Sequence, residues 1–348
     1  METRLLATDP TEVLKESVRE AVRILKTGEV VALPTETVYG LAGDITSPQA
    51  IARIFEAKER PSFDPLIVHI SKRDQLDDVA VVDPELAPFL RQLMQEFWPG
   101  PLTLLLPKQP HISDAITAGL PTVAVRMTSD PVFKRVLHEL GLPLAAPSAN
   151  RFGRISPTSA GAVMEELGGR IPLILDGGAC ASGLESTIIK VELAEPKPLI
   201  HILRKGPVTA EDLKKFGKIF KQKKHRADTT EDKPPIVPGQ TTSHYAPATP
   251  LRLLESPADF TPEPGKRYAL LSYRGLLEDG YLDLTEFAET AVLSPGSGKV
   301  PEAAVRLFFL MRQLDQLGVD EIIAEPVPDR AIGAAIMERL RRASAASD

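Results

Sequence analysis

One cysteine, Cys180, is present in 348 residues. An internal disulfide is therefore impossible and Cys180 has no second thiol for a metal cluster, which points to a reducing compartment. Aromatic residues make up only 5% of the chain, with a single Trp, and the polar loops lack the stacking platform that single-stranded nucleic-acid readers use. Positive charge is not in excess either. The formal net charge of −6 argues against a non-specific nucleic-acid binder, although local basic clefts remain open. No apolar run approaches the roughly 20 residues of a membrane span, and the opening METRLLATDPTEV lacks a signal-peptide core. A cytoplasmic protein without a membrane partner is expected. Familiar catalytic signatures are missing too: no Gly-x-Ser-x-Gly elbow and no His-Glu-x-x-His pair. PGSGKV at 295–300 lacks the first glycine and the Ser/Thr of a Walker A loop.

What is present suits a globular chain of two domains, since 348 residues exceed one ordinary core. Asp9-Pro10-Thr11 reads as a helix start with a carboxylate cap, and Leu14, Val18, Ala21, Val22 and Leu25 follow helical spacing until Gly28. Strand-like runs occupy 30–33, 66–70, 102–107, 122–127, 142–147, 172–178 and 186–192. Helical segments near 84–96, 131–140 and 158–168 fall between several of them. This mixture without strict alternation predicts an α/β domain with a twisted mixed sheet over 1–215. Residues 216–248, rich in Lys and then in Pro, Thr and Gly, read as a linker. From 249 to 348, strands at 267–273 and 319–327 with helices at 301–317 and 329–343 predict a smaller Rossmann-like α/β domain.

Four loops of the first domain place polar groups directly at strand ends, where α/β folds hold ligands. LPTETVYGL (33–41) brings Thr35, Glu36, Thr37 and Tyr39. KERPSFDPLIVHI (58–70) brings Lys58, Arg60, Asp64 and His69; a lone His on an apolar strand is more often a core residue than a ligand. In TVAVRM (122–127) Arg126 interrupts an apolar strand, and an inward Arg requires a carboxylate, phosphate or carbonyl partner. PSANRFGRIS (147–156) supplies Ser148, Asn150, Arg151, Arg154 and Ser156, with GLESTIIK (183–190) as its partner and Arg204 ending the next strand. These loops are rich in donors and poor in nucleophiles. That composition suits nucleotide phosphates, where catalysis is mostly positioning and charge neutralisation.

At these residues the chain resembles the YrdC-type threonylcarbamoyl-AMP synthase family in its long two-domain form. LPTETVYGL, Lys58-x-Arg60 with PLIVHI, FWPGPLTLLL (97–106), VAVRM, PSAN with Gly153 and Ser156, ESTI and LRKG occur in the family's order and spacing. PG…HYAP (238–247) and AIMERLRRA (335–343) extend the similarity to the second domain. The resemblance implies condensation of L-threonine, bicarbonate or CO2, and ATP into L-threonylcarbamoyl-AMP and pyrophosphate. A separate downstream tRNA threonylcarbamoyl transferase would consume the product, so contact with tRNA would be indirect. It further implies that Thr37 with Thr35, His69, Arg126, the backbone around Ala146, and Ser186 hold threonine. Arg60, the loop at Asp64, Thr122, Ser148, Ser156, Arg204 and Tyr245 would hold ATP, with Lys58 and Asn150 close by and Lys58 and Arg60 serving catalysis. Arg151 and Arg154 would guard the rim, a role that the resemblance does not require. Mg2+ would arrive with ATP and need few dedicated protein ligands. Two departures stand out: Asp64 replaces the family's more common Asn, and GQTTSHYAP (239–247) lacks the basic residues that many relatives carry.

Two other classes of function compete. A double-stranded RNA or tRNA binder would use the cleft arginines and the Lys run at 214–226. A carbamoyltransferase acting on carbamoyl phosphate would usually bring zinc-finger-like modules, which a single Cys excludes.

Overall fold

The computed structural model describes residues 1–220, 236–239 and 245–345. Among these residues the first sheet comprises Arg4–Ala7 (β1), Val31–Leu33 (β2), Gly40–Asp44 (β3), Ile67–His69 (β4), Leu102–Pro107 (β5), Thr122–Arg126 (β6), Leu144–Ala145 (β7), Leu173–Asp176 (β8), Thr187–Glu192 (β9), Leu199–Arg204 (β10) and Lys218–Ile219 (β11). Their order is β1-β8-β2-β3-β7-β4-β6-β5-β9-β10-β11, mixing parallel and antiparallel pairs. The second sheet, Leu251–Leu253 (β12), Tyr268–Ser272 (β13), Thr290–Val292 (β14) and Glu321–Ala324 (β15), is parallel throughout with order β12-β15-β13-β14. The expected pairing of a mixed α/β sheet with a smaller parallel one is what forms. β11 lies inside the segment read as linker, because its backbone continues the ladder beside β10.

Alternation explains how the first sheet is covered. Val68, Val123, Val125 and Leu104 point into the main core with Trp98, Leu90 and Leu93. On the opposite pleat Ile67, Ala124, Leu105 and Ile188 form a smaller cluster, closed by Val237 from the chain between the two sheets. Helices Thr11–Leu25 and Pro131–Leu140 press Val18, Val22, Phe133, Val136 and Leu137 onto Leu33, Leu144 and Leu173. Ser47 caps helix Pro48–Lys58 by accepting from the Ala50 N–H. The expected cap from Asp9 does not form. Pro10 itself takes the N-cap position of Thr11–Leu25, which leaves the Asp9 carboxylate one residue outside the helix, and no side chain caps it.

The second core is shared between the two halves of the chain. Leu307, Phe308, Met311, Ile336 and Leu340 cluster with Val38, Ile155 and Leu184, three residues from the loops of the first domain. Among the described residues no helix is long and apolar enough to cross a membrane.

Candidate active site

His69 and Arg126 end the neighbouring parallel strands β4 and β6 and stand opposite each other in register. Residues 122, 124 and 126 share a pleat, so the small Ala124 leaves room on the face from which Arg126 projects. β7 delivers Ala146 and Ser148, the turn after β2 delivers Thr35 and Thr37, and the ends of β9 and β10 deliver Ser186 and Arg204. These groups line one hollow, together with Arg60, Tyr39, Glu185, Pro238, Gly239 and Tyr245.

Arg126 is 4% exposed and sits 2.6 Å from Glu36 through Nη2, while Nη1 donates to the Thr37 hydroxyl at 2.8 Å. The inward Arg thus has its carboxylate, supplied by the same Thr-Glu-Thr turn. Its buried Nε has no hydrogen-bond partner among the described residues, so the five-donor fork retains capacity toward the hollow. Burial pushes the Glu36 carboxyl up, but the Arg126 charge and the Thr128 hydroxyl outweigh it and hold it below its ordinary range. His69 stacks on Phe133 with centroids 4.9 Å apart, and burial, aided by the Arg126 charge, takes its pKa down to about 3. It is a neutral imidazole whose buried Nδ1 has no hydrogen-bond partner among the described residues.

Arg60 is paired with Asp64 at 2.9 Å and donates to the Asp64 and Pro65 carbonyls. Asp64 is wholly buried behind Arg60 and does not line the hollow. Burial raises its carboxyl against the pull of Arg60 and Lys58. Arg204 differs from the other two arginines. It is 5% exposed, and its hydrogen bonds go to neutral oxygens: the Ser186 carbonyl at 3.1 Å, the Ser186 hydroxyl at 3.0 Å and the Pro238 carbonyl at 3.3 Å. Thr103 holds the same Ser186 hydroxyl from β5 at 2.7 Å.

The remaining candidates stand behind this wall. Lys58 is buried with its ammonium on the Ser148 and Asn150 carbonyls, and burial, with Arg60 nearby, lowers its pKa well below the ordinary lysine value. It therefore shapes the PSAN turn from beneath instead of lining the hollow. Asn150 braces the same turn through the Arg151 and Arg154 carbonyls at 2.7 and 2.9 Å. Ser156 donates to Glu185, which does line the hollow. Thr122 begins β6, at the opposite end from Arg126, and is not brought to the site. Arg151 pairs with Glu166 at 3.4 Å, and neither it nor Arg154 reaches the hollow wall. Of the Lys run at 214–226, residues 221–226 lie outside the described residues, as does most of the 216–248 segment.

Glu36 and Glu185 are the acids that sequence reasoning quoted without a role. Glu36 lies between Thr35 and Thr37, and Glu185 is followed by Ser186 and Thr187 at a strand end, a signal that an acid there orients its neighbours.

Comparison with known proteins settles the family. The profile described as telomere recombination, for Sua5, YciO and YrdC proteins, matches residues 23–206. That described as the C-terminal domain of threonylcarbamoyl-AMP synthase matches 208–345. The threonylcarbamoyl-AMP synthase of Bacillus subtilis is 39% identical over 99% of this chain and 98% of its own length. The chain belongs to the two-domain threonylcarbamoyl-AMP synthase family. Its counterpart from Pyrococcus abyssi is also 39% identical, over 94% of both chains. The crystal structure of P. abyssi Sua5 complexed with L-threonine superposes with a TM-score of 0.83, at 36% identity, covering 100% of this chain and 98% of that one. The resemblance seen in the motifs therefore extends to both sheets of this family member.

Proposed function

We infer that the protein is a threonylcarbamoyl-AMP synthase, joining L-threonine, bicarbonate or CO2, and ATP. The observation that carries this reading is Arg204: a guanidinium removed from water and lining the hollow, whose hydrogen bonds, among the described residues, go to neutral oxygens. Such a charge calls for an anion. The hollow also offers two buried polar atoms that, among the described residues, have no hydrogen-bond partner, Arg126 Nε and His69 Nδ1, beside hydroxyls that suit an amino acid.

In this reading Arg126, with Thr35, Thr37, His69, the Ala146 backbone and Ser186, holds threonine. The carboxylate accepts from the Arg126 fork. The threonine nitrogen attacks CO2, loses a proton and becomes a carbamate. A carbamate oxygen then attacks the α-phosphorus of ATP, the bond to the β-phosphate oxygen breaks, and pyrophosphate departs. Arg60 and Arg204 offset charge on the phosphates. Lys58 and Asn150 set the PSAN turn, from which Ser148 faces the nucleotide, and Tyr245 with Pro238 and Gly239 covers it. Asp64 acts through Arg60, and Ser156 through Glu185, so neither needs to touch ATP. Mg2+ belongs to this reading as the companion of the triphosphate, supplying further charge neutralisation there. A tRNA threonylcarbamoyl transferase consumes the adenylate in a cytoplasmic setting.

Pyrophosphate release from ATP tests the reading. Release is expected only with threonine and bicarbonate both present. Release that persists without threonine would point to another acceptor.

A further inference from the structure

Helix Gly333–Ser344 buries an arginine where its opposite face meets solvent-exposed charge. Arg339 is 0% exposed, although it belongs to the second domain's last helix and its neighbours Arg341 and Arg342 remain accessible. Its guanidinium crosses to the first domain and meets Glu185 through Nε at 3.2 Å and Nη2 at 3.1 Å. Glu185 lines the hollow and accepts from the Ser156 hydroxyl. The other face of the guanidinium lies 5.1 Å from the Tyr245 ring centroid, a cation–π distance. Tyr245 stacks against Phe308 of helix Val300–Asp315 at 5.7 Å. Its backbone has φ +64°, a region that bulky residues enter only when their surroundings impose it.

One side chain thus ties three parts of the wall: the turn before β9, the Ser156 end of the PSAN loop, and the aromatic cover. Arg312 adds a second tie from the same domain, donating to Glu166 and to the Ile155 carbonyl, each at 2.9 Å. Among the described residues Arg339 is the salt-bridge partner of Glu185.

We propose that Arg339 is a positioning residue for the nucleotide half of the site, through which the docked second domain fixes Glu185, Ser156 and Tyr245. The proposal rests on the synthase reading above. It gives the second domain a defined part in that reaction: completing a wall that the first domain leaves unsupported.

The test compares Arg339→Met, Arg339→Lys and the double variant Arg339→Met/Glu185→Gln in the full-length chain. Pyrophosphate release is measured against ATP and against threonine, with thermal unfolding followed in parallel. Arg339→Met is expected to raise the ATP KM about tenfold while the threonine KM moves less than about twofold. Arg339→Lys should recover part of the loss, since an ammonium still reaches Glu185 but cannot fork. The double variant should restore the melting temperature lost in Arg339→Met, because no charge is stranded, yet leave the ATP KM high. Unchanged ATP and threonine KM values in a folded Arg339→Met protein would overturn the proposal, as would equal rises in both. If Arg339→Met fails to fold, the double variant carries the decision: a wild-type ATP KM there rejects the positioning role. A wild-type protein that releases no pyrophosphate would sink the synthase reading instead. In that case the affinity for a fluorescent ATP analogue, expected to fall about tenfold in the double variant, decides the positioning role alone.

Discussion

Glu36 and Arg126 are so closely matched that removing either one alone strands a buried charge. Arg126→Met is therefore expected to cost about 3–5 kcal/mol of stability, read by urea denaturation. Adding Glu36→Gln should return most of it. In that folded double variant the threonine KM should rise about 10- to 100-fold, the range for losing charged hydrogen bonds, with the ATP KM changed less than about threefold. A parallel rise in both would show that the hollow is not divided as proposed. His69 carries a pH prediction. Its folded pKa of about 3 lies below the ordinary 6.5, so its contribution to stability is fully present above pH 6.5 and is lost as pH falls from 6.5 toward 3. Between pH 7 and 4.5 the wild type should lose about 2–3 kcal/mol more than His69→Gln. Denaturation curves that fall in parallel would mean that the imidazole takes a proton within the fold. The need of Arg126 for a partner was legible in the sequence, because an inward Arg in TVAVR demands one. Which acid answers it was not, since Glu36 lies 90 residues away and only the β2 turn brings it across.

Short elements show the same divide. The apolar runs from Leu102 to Pro107 and from Thr122 to Arg126 read directly as strands, and so did the helix at 131–140. β3, with the sequence GLAGD, does not: its two glycines look like a turn and in fact let the strand approach Ala146 and Ile54 closely. β1, β12 and β14 are three or four residues long and carry too little pattern to recognise. LRKG was legible as a family motif, but its glycine has a reason only in three dimensions. A Cβ on Gly206 would lie 2.4 Å from the Glu185 carbonyl oxygen and 2.5 Å from the Thr187 nitrogen. Backbone stands on the other side, so a flexible side chain cannot yield. Gly206→Ala should push Glu185, Ser186 and the start of β9 off their positions. Loss of about 1–3 kcal/mol of stability and at least about tenfold in kcat/KM is expected. Wild-type kinetics in this variant would mean that the turn after β10 is looser than its packing implies.

The two sheets do not have wholly separate cores. Val38, Ile155 and Leu184, from loops that frame the hollow, pack among the helices of the second domain. The sequence could not show this, because each of these residues sits in a polar loop and its apolar partners lie more than 100 positions downstream. Sharing a core makes docking part of folding, and calorimetry should record one cooperative transition for the whole chain. Leu184 is fully buried at that junction, so Leu184→Asp forces a carboxylate to lose its water or the domains to part. Parting is the less costly outcome, since each sheet keeps most of its own apolar contacts. The variant should therefore unfold in two steps, with the first well below the wild-type temperature, and its ATP KM should rise as Arg339 and Phe308 withdraw from Glu185 and Tyr245. A single transition with wild-type nucleotide affinity would show that the hollow stands without its neighbour, and that the shared core serves stability alone.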